Sequence, residues 1–155
     1  MRITKYDVEN NPKGLPMLVK EESTNYTLSN TLKSPDEIVQ MLNAVFRMDK
    51  KAEEHVYIIG FNSKLHPIAV FELSKGTINQ SLVGCRELFM RLLLCGATSF
   101  VFTHNHPSGD PFPSTEDFKI LNRLKQNAEL MGISFLDSII IGDGRYFSSR
   151  TEKCM

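Results

Sequence analysis

Apolar positions along this chain change their spacing several times, and each change marks an element. In "SPDEIVQMLNAVF" (34–46) Ile38, Met41, Leu42 and Val45 recur at helical intervals, giving one buried stripe. Ser34 is placed to cap that helix, Pro35 suits its first turn, and Glu37 completes a capping box. "EHVYIIGFN" (54–62) and "PIAVFEL" (67–73) are rich in β-branched and aromatic residues, and the polar "SKLH" between them makes a hairpin. The spacing then predicts a helix over 83–97 ended by Gly96, a short buried strand at 98–102 and a well-capped helix over 114–132. "ISFLDSIIIGD" and "RYFSSR" are two more strands, joined through the Gly-Asp-Gly turn at 142–144.

Upstream, "MLVKEESTNYTL" (17–28) reads as an early strand, while "ENNPKGLPM" (9–17) carries the Asn, Pro and Gly of a loop. The first dozen residues are therefore expected to be a loop or loose arm. The order β-α-β-β-α-β-α-β-β predicts the α/β class, with helices packed on a mixed central sheet as an α-β-α sandwich. Residues 1–30 are taken as an arm and first strand, 31–150 as the functional domain and 151–155 as a tail.

Composition narrows the picture only a little. At 41% apolar and 23% charged residues the chain is too apolar for disorder, and 155 residues suit one domain. Lys+Arg and Asp+Glu both total 18, so the net charge is zero, which argues against nucleic acid as the main partner. Lys50 and Lys51 read as a solvated loop. The opening residues hold no apolar core of signal-peptide length, and no apolar run reaches the roughly 20 residues needed to span a bilayer. Cys85, Cys95 and Cys154 form no CxxC pair, which fits reduced thiols and a cytoplasmic setting. Cys85 and Cys95 are expected to pack as small apolar groups in a helix, with Cys154 on the tail.

Candidate chemistry centres on "THNHPSGDPFPSTEDF" (103–118), which holds two of the chain's four histidines. Residues i and i+2 of a strand point to one face, so a strand that continues through His104 projects His104 and His106 together and Asn105 away. Pro107 stops the strand, Gly109 lets the chain turn, and Asp117 falls in the first turn of the next helix, from where its carboxylate can supply a third ligand. Two histidines and one carboxylate with an open position form the pattern of a catalytic zinc site. Ser114 with Asp117 is also an ordinary capping box, and the two duties are compatible. A hydrolase needs a base for its water, and Glu54, Glu87, Glu72, Asp110 and Glu116 are all candidates on residue type alone. The spacing of His55 and His66 marks neither as a ligand.

The string "HNHPSGDPFPSTED" resembles the JAMM (MPN-plus) metalloprotease signature, HxH-x7-S-x2-D, in the version found in RadC-type proteins. The resemblance runs from about Ser34 to Ser149 and includes "HVYIIGFNSK", "LLLCGATSFVFTHNHPSGDPFPSTED" and "ISFLDSIIIGDGRYFS". It implies a JAB/MPN-like (cytidine deaminase-like) architecture and a zinc-dependent hydrolase cleaving a peptide or isopeptide amide bond in a peptide or protein substrate. It also implies one zinc ion on His104, His106 and Asp117, oxyanion stabilisation by Ser114, and Glu54 as the base. Adjacent Glu53 offers a one-residue slip, and Glu87 is the third candidate. RadC-type sequences commonly read Asp-His where this chain has Asp137-Ser138, so an orienting histidine is not expected there. Longer RadC proteins carry a helix-hairpin-helix region that suggests DNA contact, and the pattern here shows none. A metal-containing binding module without turnover and a DNA-repair-associated role are the alternatives. An HNH nuclease is rejected, because its residues come from separate places in the chain. "GDPFP" and residues 75–82 are the candidates to line a cleft.

Overall fold

The computed structural model describes residues 1–29, 31–76 and 84–154. Strands β1 (Arg2–Asn10), β2 (Pro16–Asn25), β3 (His55–Phe61), β4 (Pro67–Lys75), β5 (Ser99–Asn105), β6 (Ser134–Ile141) and β7 (Tyr146–Ser148) form one sheet, in the order β2-β1-β4-β3-β5-β6-β7. β1 with β4 and β5 with β6 pair in parallel; the other neighbours are antiparallel. The sheet is mixed, as expected. Three helices, α1 (Pro35–Phe46), α2 (Cys85–Leu94) and α3 (Thr115–Met131), cover it.

The helices divide between the two faces. Ile38, Met41, Leu42 and Phe46 of α1 pack on Tyr57, Ile59, Phe61, Val101, Ile139 and Ile141. Leu88 and Leu92 of α2, with Ile120 and Leu124 of α3, pack on Val56, Ile58, Phe71, Phe100 and Phe102. Odd-numbered residues of β3 therefore face α1 and even-numbered ones face α2 and α3, as the two-residue period of a strand requires. Every residue of β3 and β5 is buried, which explains their unbroken apolar runs.

The helix starts follow their sequence signals. Ser34 caps α1 and Ser114 caps α3, and each forms a reciprocal capping box with the acidic residue three positions on. α3 ends at Gly132, whose φ of 65° lies in the left-handed region. Among the described residues, no helix is long and apolar enough to cross a membrane.

The amino-terminal loop expectation is overturned. Residues 2–10 form β1, and the Asn-Pro-Gly stretch is the turn of a β1–β2 hairpin, where Asn11 Oδ1 accepts from Lys13 N (2.9 Å) and Leu15 N (3.1 Å). Most of this ribbon is exposed or half-buried, so charges interrupt the apolar alternation that would have marked a strand. The element order thus gains one strand at its start. Lys50 ends a short 3₁₀ turn (Met48–Lys50) rather than lying in an open loop. Cys85 opens α2 and, like Cys95, packs against the core as expected, while its sulfur also accepts from Arg123 Nε at 3.0 Å and Asn127 Nδ2 at 3.5 Å. Cys95 follows the helix as its C-cap, and all three cysteines are free.

Candidate metal centre

β5 continues through His104 to Asn105, further than the apolar run alone suggested. Val56 of β3 opposes His104 of β5, and the same antiparallel register carried two residues further brings Glu54 to His106. His104 shares its face with Phe100 and Phe102, beneath the start of α3.

Three side chains from the two ends of the 103–118 stretch meet there. His104 Nε2 stands 3.1 Å from His106 Nε2 and 3.1 Å from Asp117 Oδ1, and His106 Nε2 stands 3.5 Å from Asp117 Oδ2. This group could hold a metal ion, and no other such group of three occurs among the described residues. His104 is 2% exposed at its side chain and Asp117 9%. His106 Nδ1 donates to the Asp110 carbonyl at 2.8 Å, which turns its Nε2 toward the other two groups. His104 Nδ1 is buried without a hydrogen-bond partner, so its ring is tied to the protein only through Nε2. Two inward imidazole nitrogens beside a half-buried carboxylate are a donor set suited to a divalent cation.

The electrostatics agree with that geometry. Burial alone would push the Asp117 carboxyl up, but hydrogen bonds from His104, His106 and Ser114 outweigh it and hold Asp117 well below the ordinary carboxylate range. The contact with Asp117 raises the His106 pKa above its usual value; burial opposes this, and the Asp110 carbonyl and Glu54 add to it.

The site loop is held from outside by two glycines. Gly109 has a φ of 83°, and its carbonyl accepts from Asp143 N at 2.9 Å. A Cβ on Gly142 would stand 2.4 Å from that carbonyl oxygen, so the Gly-Asp-Gly turn needs glycine for close approach as well as for turning.

The candidate bases separate cleanly. Glu54 Oε1 lies 3.9 Å from His106 Nε2, on the histidine face. Glu53, adjacent in sequence, is 55% exposed and pairs with Lys75 at 3.1 Å. Glu72 is paired with His55 and Lys5 on another part of the sheet, Glu87 with Arg86 on α2, and Glu116 with Lys119. Asp110 turns its carboxylate to Phe112 N. His66 is exposed in the β3–β4 turn and His55 is buried against Glu72, so neither joins the site. Ser114 does: its Oγ lies 2.6 Å from Asp117 Oδ2 and its N–H donates to the same oxygen at 2.7 Å. Phe112, 73% exposed between Pro111 and Pro113, stands on the same loop. Of residues 75–82, positions 77–82 lie outside the described residues, as does Val83 of the expected α2 segment.

Two features were not visible in the sequence. The His55–Glu72 contact joins residues 17 apart and has no motif. Asp137, which stands next to Ser138 where an Asp-His pair was the norm, is buried against Ser148 Oγ (2.6 Å), Ser149 Oγ (3.1 Å) and Arg150 N (3.0 Å). It fastens the strand end after β7 and makes none of the contacts of the histidine cluster.

Fold and site together define an α/β domain with a candidate metal centre where the end of β5 meets the start of β3. The chain belongs to the RadC-like JAB domain family, whose model matches residues 32–154. It is 42% identical over 119 residues to a UPF0758 protein of Clostridium acetobutylicum, covering 77% of this chain and 51% of that one. A UPF0758 protein of Alkaliphilus metalliredigens is 40% identical over 124 residues, covering 80% and 53% respectively. One from Caldanaerobacter subterraneus is 36% identical over 139 residues, covering 90% and 57%. The chain thus spans about half the length of these curated relatives.

Proposed function

We propose that this domain is a cytoplasmic metal-dependent hydrolase that cleaves a peptide or isopeptide amide bond, with one zinc ion held by His104, His106 and Asp117. The observation that carries the reading is the convergence of these three donors at 3.1–3.5 Å, with the Glu54 carboxylate on the same face. Donors bound about 2.0–2.1 Å from one tetrahedral zinc stand about 3.3 Å from each other, so the present separations suit that ion. Zinc so bound supplies a Lewis acid and brings the pKa of a coordinated water to about 7.

The protein's own groups supply the rest. Glu54 is placed to take the water's proton as oxygen adds to the carbonyl carbon, and to deliver it to the amine nitrogen as the C–N bond breaks. Ser114 steadies the Asp117 carboxylate through its hydroxyl and its backbone N–H. Donation from that hydroxyl to the developing oxyanion requires its proton to turn away from Asp117 Oδ2. Phe112, rigid between two prolines and open to solvent, is the side chain of the site loop most available to a substrate's apolar neighbour.

Metal analysis at neutral pH, paired with hydrolysis of peptide and isopeptide libraries in the presence and absence of chelator, tests the reading. One zinc per chain and chelator-sensitive cleavage are expected. A wild-type protein that takes up no metal, or Asp117→Ala that retains the full amount, overturns it.

A further inference from the structure

The middle residue of the His-Asn-His triplet points away from the proposed metal ligands, and the residue is 2% exposed within a set of backbone contacts. Asn105 Oδ1 accepts from His55 N at 2.8 Å. Its Nδ2 donates to the Glu53 carbonyl at 3.0 Å and reaches the Lys51 carbonyl at 3.4 Å. These three backbone groups flank Glu54 in sequence. They belong to the segment that enters β3 after the 3₁₀ turn, ahead of the first β3–β5 pair.

On the β4 side the sheet already holds this segment, with His55 opposite Lys75 and the Glu54 carbonyl accepting from Gly76 N at 2.8 Å, whereas the ladder to β5 begins only at Val56 opposite His104. One amide that bonds the peptide groups on both sides of Glu54 supplies the tie on the β5 side. It is anchored between the two histidines, so it ties the base to the ligands. We infer that Asn105 is a positioning residue that sets the distance between the Glu54 carboxylate and the metal held by His104 and His106. This rests on the proposed function, since Glu54 needs a fixed distance only if it serves a bound ion. Catalytic groups must be held within about 0.5 Å of their productive geometry, and a supporting hydrogen-bond shell is the usual means.

No single-residue replacement reproduces the arrangement. Asp in its place keeps the acceptor for His55 N and sets a carboxylate oxygen against two carbonyls. Ala loses all three bonds. Neither substitution touches a metal donor atom, so metal uptake is expected to persist while the base drifts.

The test uses Mn²⁺ alone as the probe. Protein labelled with ¹³C at the glutamate carboxyl carbons is loaded with Mn²⁺, and the relaxation of the Glu54 carbon is read; Glu54→Gln assigns the signal. Relaxation falls with the sixth power of distance, so a small displacement gives a large change. Wild type is expected to show strong relaxation at Glu54, and Asn105→Ala to show a severalfold weaker one at the same Mn²⁺ stoichiometry. Asn105→Asp, nearly the same shape, should fall between them, and it carries the test if the alanine variant does not fold. Equal relaxation in wild type and the folded variants overturns the positioning role and leaves the proposed function standing. Failure of both variants to fold overturns it too, by making Asn105 a residue of the fold. A wild type that binds no ion, or binds one without relaxing Glu54, sinks the proposed function and this inference together.

Discussion

Glu54 and Asp117 illustrate how two carboxylates on one protein face divide their work by what surrounds them. Asp117 is half-buried, holds the helix start through Ser114 and faces both imidazoles. Glu54 stands at the rim, 3.9 Å from His106 and 23% exposed, where a water can reach it. Replacing Glu54 with Gln is expected to leave bound zinc unchanged and to lower turnover by about 10²–10⁴-fold, as loss of a positioned general base does. Asp117→Ala is expected to lose the zinc itself, because two histidines alone are a poor cage. Metal content and single-substrate kinetics on the two variants separate the roles.

The raised pKa of His106 has a consequence for pH. Its proton and a metal ion compete for the same Nε2 lone pair, so uptake releases that proton. Because Asp117 stabilises the protonated ring, the competition begins above the ordinary histidine value rather than below it. Zinc occupancy in equilibrium dialysis should therefore fall steadily from about pH 8 to about pH 5. A flat occupancy over that span contradicts the assignment of His106.

At the scale of elements, what was legible depended on whether the cause was local. The capping boxes of α1 and α3 use residues three apart, so sequence alone located both starts. β3 and the first half of β5 announced themselves because burial on both faces favours unbroken apolar runs, while the polar end of β5 did not. The convergence of His104, His106 and Asp117 was readable for the same reason, since a strand's two-residue period and one short loop connect all three residues. β1 was not readable, because it pairs at its outer side with a mostly exposed strand and keeps charges along its length. Choosing Glu54 over Glu53 from the residues alone was equally out of reach, since that choice depends on the register between β3 and β5. Asn105 looked like the spacer of a motif, and only long-range contacts give it work.

The turn between β6 and β7 offers a test at the same scale. A methyl group on Gly142 would collide with the Gly109 carbonyl, which the neighbouring Asp143 N–H also holds. Gly142→Ala is expected to cost about 1–3 kcal/mol in urea unfolding, by overpacking a backbone contact. It should also weaken metal uptake, because Gly109 lies on the loop that fixes His106 through the Asp110 carbonyl. A variant that unfolds like wild type and binds metal equally well would show that the turn does not support the loop.

Over the whole molecule, the site joins parts that fold against opposite faces of the sheet. Asp117 comes from α3 on one side, and Asn105 faces the side covered by α1. An ion bound only by the folded arrangement stabilises it by about 4 kcal/mol when present at 1,000 times its dissociation constant. Thermal unfolding should therefore move upward with added zinc and return with chelator, and Asp117→Ala should show no such movement. The matched stretch makes up about half of each of these relatives, so the expected metal linkage can be measured on the present chain and then sought in theirs.

The double service of Asp117 bears on how such domains age. A carboxylate that starts a helix is retained for the sake of folding even after an enzyme has fallen silent. His104 has no such second employment: among the described residues its ring nitrogens bond only to His106 and Asp117. On the proposed function, a descendant that abandons hydrolysis is expected to show the loss first at His104, and a surviving aspartate would say little about activity.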